Sequence, residues 1–340
     1  MRLPSIANPY LRTARSFTTS AHLRVPLLLT PKQFNDLPKQ TTLPLDATWH
    51  MPNSPRSALA EYLNGPRIPN ARRFDLDEVA ELSVGKNPLS LTHMLPSAER
   101  FKKELEKLGI HKDTHVVVYD TIGIFSSPRA LYTFKAFGHD KVSVLDGGLP
   151  RWIEEGNEVE MGEAGEVGSS EYPKVQGPNK DWVRSYEEIV SNSQKPLSDP
   201  TAEIVLDHRP AARFLGINSE PRPNLPSGHI PNSRSLPFTH YLVPATDKKP
   251  FTNYKPVPEL KQVLVDGVGG EAMWDDIERR DKPLVFSCGS GMTAAIGWLA
   301  NELIRETEGK APKSALYDES WTGYALREDS KIARNGHFKP

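Results

Sequence analysis

The 340-residue chain has one cysteine, Cys288, so no disulfide can form within it, and a reducing compartment suits it. It has no apolar run approaching the ~20 residues that cross a bilayer; Leu27-Leu28-Leu29 is far too short. It has almost no net charge, −1 at neutral pH, so there is no overall basic field to draw nucleic acid. We therefore expect neither a nucleic-acid nor a membrane partner. Acidic residues are missing from Met1 to Asn35, where Arg2, Arg12, Arg15 and Arg24 lie among Ser16, Thr18, Thr19 and Ser20. That is the composition of a mitochondrial transit peptide. We expect residues 1–24 to be an address to the matrix, with a further pool in the cytoplasm allowed, and the mature chain to start near Val25. Hydrophobic (37%) and charged (25%) fractions are ordinary for a globular protein, and the length suggests two domains.

What is present is a duplication. Four blocks recur in the same order. Leu43-Pro44-Leu45-Asp46-Ala47 corresponds to Ile204-Val205-Leu206-Asp207-His208, and Ile68-Pro69-Asn70-Ala71-Arg72 to Ile230-Pro231-Asn232-Ser233-Arg234. Val116-Val117-Val118-Tyr119-Asp120 corresponds to Leu284-Val285-Phe286-Ser287-Cys288. Val144-Leu145-Asp146-Gly147-Gly148, then Trp152, corresponds to Leu316-Tyr317-Asp318-Glu319-Ser320-Trp321. Four matches in register indicate one unit used twice. Helical patterns lie between the strands: Ser97 caps a segment with Phe101, Leu105 and Leu108 on one face, and Pro128–Phe137 and Thr293–Ile304 follow the third block of each copy. Short apolar strands alternating with helices predict an α/β fold with two mainly parallel sheets flanked by helices. The expected units are 25–156 and 181–340, joined by a connector, 157–180, rich in Gly, Glu, Ser and Pro.

Sites in such sheets form at the carboxyl ends of strands. Cys288 lies at one, and Gly289-Ser290-Gly291-Met292-Thr293 carries the chain into a helix. Backbone N–H groups of that loop, with the positive helix end, favour an anion at the sulfur. The first copy has Asp120 where the second has Cys288, so it carries no thiol and is expected to be catalytically silent. Two sites fail for want of a second sulfur. His208, His229 and His240 lack the short ligand spacings of a closed zinc site; we expect no metal and no organic cofactor, with His229 buttressing the turn before Ile230.

The run Cys288-Gly289-Ser290-Gly291-Met292-Thr293-Ala294 resembles the active-site loop of the 3-mercaptopyruvate sulfurtransferases, tandem-domain relatives of thiosulfate sulfurtransferase (rhodanese). The resemblance covers nearly everything after the presequence. It implies two rhodanese-like domains and a sulfurtransferase that takes sulfur from 3-mercaptopyruvate through a persulfide on Cys288. The outer sulfur then passes to thioredoxin or another thiol, to cyanide, or to a sulfur-carrier protein. Arg213 and Arg222 match the family's substrate-holding arginines, with Ala212 in place of the usual Gly and Ser219 in place of Pro. Planar guanidinium forks suit the carboxylate and carbonyl of a 2-oxo acid. Gly289, Gly291, Met292 and Thr293 are implied substrate contacts through the loop backbone. Ser290, His93 and Asp77 match a Ser-His-Asp proton relay proposed for the family. Arg67 and Glu319 depart from the family's His and Gly, and Ala295 stands where many relatives have a second Cys. The alternatives are thiosulfate as donor, disfavoured because Gly289 and Ser290 are neutral where rhodanese is basic, and a sulfur-relay module serving a carrier protein or tRNA thiolation. A cysteine phosphatase would need an arginine six residues after the cysteine, where Ala294 stands.

Overall fold

The structure, a computed structural model, describes residues 25–165 and 168–334. The transit peptide expected at 1–24 lies outside the described residues. Two five-stranded parallel sheets form the frame. The first contains β1 (Leu28–Leu29), β2 (Thr42–Asp46), β3 (Arg72–Arg73), β4 (His115–Tyr119) and β5 (Val142–Leu145), in the order β1-β5-β4-β2-β3. The second contains β6 (Val183–Arg184), β7 (Val205–Asp207) and β8 (Arg234–Ser235). A small antiparallel ribbon, β9 (Leu242–Val243) with β10 (Asn253–Tyr254), comes next, and β11 (Leu284–Ser287) and β12 (Ser314–Tyr317) complete the sheet. Its order, β6-β12-β11-β7-β8, repeats the first sheet strand for strand, as the duplicated blocks predict.

The middle strands β4 and β11 are buried along their whole length, which is why they read as unbroken apolar runs rather than alternating ones. Helix Ala98–Lys107 begins at Ser97, whose hydroxyl accepts from Arg100 N–H, and it buries Phe101 and Leu105. The connector is more than a strap. Arg67 is buried, donates to the Glu160 carboxylate at 2.7 Å and to the Gly162 carbonyl at 2.7 Å, and pins the connector to the first unit. Tyr172 and Val175 of the same segment are buried in the core.

The two units share one core. Helix Ser127–Ala136 of the first packs on Ala294–Thr307 of the second, with Tyr132 edge-on to Trp298 at 5.2 Å. The contact has a pseudo-twofold character. Asp146 accepts from Tyr254 N–H of the second unit at 3.0 Å, and its repeat counterpart Asp318 accepts from Leu95 N–H of the first at 2.8 Å.

Three histidines are held neutral inside. Burial pulls His115, His139 and His208 from the usual 6.5 to about 4. The unfolded chain therefore takes up these protons first as pH falls, so the stability is fully present above 6.5 and is lost towards 4. Asp46, Asp146 and Glu302, raised by burial, act in the opposite sense at the lower end of that window. We expect the melting temperature to fall steadily between about pH 7 and pH 5. A flat profile over that range would show that these rings do not stay neutral in the folded state.

Candidate active site

Cys288 sits where β11 ends, and its side chain is buried. The loop after it is tied down from outside. Trp321 N–H donates to the Cys288 carbonyl at 2.9 Å, and Thr322 gives its N–H (2.9 Å) and hydroxyl (2.6 Å) to the Gly289 carbonyl. Ala295 and Ile296 N–H take the carbonyls of Met292 and Thr293. A trans peptide points its C=O and the next N–H in opposite directions, so carbonyls held outward turn the following N–H groups inward. Among the described residues, the N–H groups of Gly289 to Thr293 enter no hydrogen bond with the protein. Gly291 is required: its φ is +79°, and a Cβ would lie 2.8 Å from the Asp318 carbonyl oxygen.

The first unit shows what such a loop holds. Asp120 is fully buried, and its Oδ1 accepts from Ile122 and Gly123 N–H, both at 3.0 Å. Its Oδ2 accepts from Phe125, Ser126 and Ser127 N–H at 2.9–3.1 Å and from the Ser127 hydroxyl at 2.7 Å. A built-in carboxylate fills that anion cradle, whereas the second cradle keeps its donors for whatever charge Cys288 carries.

Both substrate-binding candidates reach this loop. A Cβ on Gly289 would lie 3.4 Å from Arg213 Nη2 and 3.7 Å from Arg222 Nη1. Arg213 belongs to the short helix Ala211–Phe214, which is steadied by His229: its Nδ1 bonds the Phe214 carbonyl at 2.8 Å and its ring stacks on Phe214 at 3.8 Å. Arg213 is ion-paired with Glu220, whose carboxylate is buried and also accepts from Arg209 at 2.8 Å. Arg209 is paired in turn with Asp207. Within this cluster the charges of Asp207, Arg209, Glu220 and Arg213 cancel, and Arg222 stands outside it, facing Asp77. Burial lowers the Arg222 proton affinity, Cys288 opposes this, and Arg213 reinforces it. Arg222 donates to Thr92 Oγ1 of the first unit at 3.3 Å.

Asp77 and His93, 16 residues apart in the chain, do meet: His93 Nδ1 is 2.5 Å from Asp77 Oδ1. The approach is off the hydrogen-bond axis, and both buried ring nitrogens lack a well-directed partner. Trp49 Nε1–H donates to Asp77 Oδ2 at 2.9 Å, and its ring lies edge-on to His93 at 4.6 Å. Burial lowers the His93 pKa against the pull of Asp77, so the ring is neutral near pH 7. Burial pushes the Asp77 carboxyl up, but His93, Trp49 and Arg222 outweigh it and leave it below its usual value. Ser290 is buried, and no hydrogen bond joins it to His93 among the described residues. The structure thus brings Asp77 to His93 and leaves Ser290 unjoined to them. Met292 has its side chain in the core, which leaves its backbone as the part facing the loop.

Other groups at the site had weak sequence signals or none. Glu220 was visible only as a carboxylate between two arginines, and Asp318 only as part of a repeated block. Arg129, in the first unit's helix Ser127–Ala136, had no signal; it reaches Asp318 at 2.6 Å and the Gly291 carbonyl at 3.4 Å. Among the described residues no cluster of His, Cys, Asp and Glu fits a metal ion. None of the described helices is long and apolar enough to cross a membrane.

Comparison with known proteins agrees with the fold. The rhodanese-like domain model matches residues 56–155 and 190–327. A Schizosaccharomyces pombe protein named "Probable 3-mercaptopyruvate sulfurtransferase" is 38% identical over 307 residues, covering 87% of this chain and 91% of the relative. The Arabidopsis thaliana "Thiosulfate/3-mercaptopyruvate sulfurtransferase 1, mitochondrial" is 36% identical, covering 85% of this chain and 73% of the relative. The crystal structure of the Saccharomyces cerevisiae Tum1 protein superimposes with a TM-score of 0.75 at 29% identity, covering 92% of this chain and 99% of that one.

Proposed function

Since this chain belongs to the rhodanese-like domain family, with 3-mercaptopyruvate sulfurtransferases among its relatives, we propose that it transfers sulfur from 3-mercaptopyruvate through a Cys288 persulfide. The observation that carries the reading is the contrast between two equivalent loops. One has its N–H groups filled by Asp120, and the other has them unengaged around a sulfur, with Arg213 and Arg222 at its rim.

In the first step the Cys288 thiolate attacks the donor's thiol sulfur. An S–S bond forms, the C–S bond breaks, and its electron pair goes to carbon as the pyruvate enolate. The proton from the donor thiol ends on that carbon, releasing pyruvate and leaving Cys–S–S⁻. The inward N–H groups hold the negative charge before and after transfer. Ser290, His93 and Asp77 are the proposed proton path; a neutral His93 can accept the thiol proton. In the second step a thiol acceptor attacks the outer sulfur, leaves as a persulfide, and regenerates the Cys288 thiolate. Thioredoxin, a smaller thiol or a sulfur-carrier protein fits that role, and cyanide serves in an assay.

Charge balance supports the substrate. With Glu220 offsetting Arg213 and Asp77 partly offsetting Arg222, the rim carries little excess positive charge, which suits the single carboxylate of a 2-oxo acid better than dianionic thiosulfate. Thiosulfate remains the second reading, favoured by the double name of the Arabidopsis relative. Steady-state rates with each donor and cyanide decide between them: we expect kcat/KM for 3-mercaptopyruvate to exceed that for thiosulfate by at least about tenfold, and a reversed preference overturns the assignment. Arg222→Ala should raise KM for 3-mercaptopyruvate by about 10–100-fold through loss of a charge-assisted bond, read from the same assay.

The proposed domain limits are 25–156 for a silent unit, 157–180 for the connector and 181–340 for the catalytic unit. We also propose a mitochondrial matrix location, with a further cytoplasmic pool allowed beside it. The composition of residues 1–24 and the mitochondrial relative support it.

A further inference from the structure

Arg129 is the point at which the pseudo-twofold relation fails. Each unit offers an aspartate, Asp146 or Asp318, to a backbone N–H of the other. Asp146 is ion-paired within its own unit by Arg151 at 2.6 Å. Asp318 is instead paired by Arg129, which comes across from the silent unit. The first two turns of the equivalent helix, from Ala294 to Asn301, carry no cation to return the contact.

The Arg129 side chain is only 1% exposed, and its guanidinium has three polar partners. It is ion-paired with the Asp318 carboxylate, it donates to the Gly291 carbonyl at 3.4 Å, and it donates to the His93 carbonyl. Holding the Gly291 carbonyl outward turns the Met292 N–H inward across the same trans peptide. The other loop carbonyls that are held, those of Cys288, Gly289, Met292 and Thr293, are held from within the second unit. Holding the His93 carbonyl helps to fix a residue at φ +64°, a left-handed conformation uncommon for residues with a Cβ.

We propose that Arg129 is a positioning residue of the sulfur-transfer step. It is the group by which the thiol-free unit sets both the N–H cradle of Cys288 and the placement of His93. The rate effect rests on the sulfurtransferase reading above; the effect on the loop does not. It gives the thiol-free unit a positioning task beside the proton path proposed for its His93 and Asp77.

The test uses the full-length protein with Arg129→Ala and Arg129→Lys, each assayed well below its own melting temperature. Two readouts are compared. With 3-mercaptopyruvate and cyanide, Arg129→Ala should lose about 30–100-fold in kcat with KM within about threefold, because misorientation costs rate rather than binding. Millimolar guanidinium should restore part of that rate, and Arg129→Lys should keep more than Arg129→Ala. Independently of any sulfur donor, the ratio of Cys288 alkylation by anionic iodoacetate to that by neutral iodoacetamide should fall in Arg129→Ala, since a disordered cradle favours an anion less; exposure affects both reagents alike. A folded Arg129→Ala protein with wild-type kcat and an unchanged ratio overturns the proposal. So does a rate loss that guanidinium does not restore and that only a lowered melting temperature accompanies. If the wild type turns over no sulfur donor while the alkylation ratio still falls, Arg129 keeps its role in the loop and the sulfurtransferase reading fails instead.

Discussion

Cys288→Ser is expected to abolish sulfur release from both 3-mercaptopyruvate and thiosulfate, with a loss of at least about 10³-fold, while the fold is kept. A serine hydroxyl is a poor nucleophile at neutral pH and cannot carry an outer sulfur through a readily reversed S–S bond. No other residue can substitute, because the chain has no second sulfhydryl and the equivalent place in the first unit is Asp120. The packing cost of the change is small: serine is close to cysteine in size, and the surrounding hydrogen bonds are made by the Cys288 backbone, whose N–H donates to Ser320 Oγ at 3.1 Å and whose carbonyl accepts from Trp321 N–H. Mass spectrometry after exposure to donor should show wild type heavier by one sulfur atom and the variant unchanged. Sulfur retained on the variant would place the carrier elsewhere and remove the basis of the mechanism.

Asp120→Ala is expected to be the most destabilising single change in the silent unit, costing about 3–5 kcal/mol. Removing the carboxylate strands five backbone N–H groups and the Ser127 hydroxyl, most of them buried, and each buried donor is costly to leave unpaired. Asp120→Asn separates this cause from packing. It preserves shape, yet turns one acceptor oxygen into an NH₂ facing backbone donors, so it too should destabilise. Both variants should lower the melting temperature by about 5–10 °C, measured by calorimetry at neutral pH. A shift within about a degree for either would mean that the cradle does not depend on its internal anion, and the contrast between the two loops would lose its meaning.

Much of this was legible in the chain. Repeated blocks of strand residues announced two copies of one sheet, since a central strand buried on both faces is apolar along most of its length. β4 with Asp120 and β11 with Cys288 appear where those blocks stand. Ser97 and the Phe101-Leu105 spacing were enough to place a helix. The difference between Asp120 and Cys288 at one repeated position said which copy could hold a sulfur. These features are local: they depend on side-chain size, polarity and spacing within a dozen residues.

Other features had no local signal. That Arg67 pins the connector, that Asp77 reaches His93 while Ser290 does not join them, and that Glu220 offsets one of two arginines follow from where the segments lie after packing. Arg129 is the clearest case. Its neighbours in sequence are ordinary core residues of a helix, and its partners lie 36, 162 and 189 positions away, at His93, Gly291 and Asp318. The chain by itself determined two α/β units, one sulfur and the loop that surrounds it, because strands, turns and helix starts are set by neighbours in sequence. Only tertiary packing, within the second unit for Arg213, Glu220 and Arg222 and between the units for Arg129, decided which charges face that loop, because ion pairs form between groups that the fold brings together from separate segments.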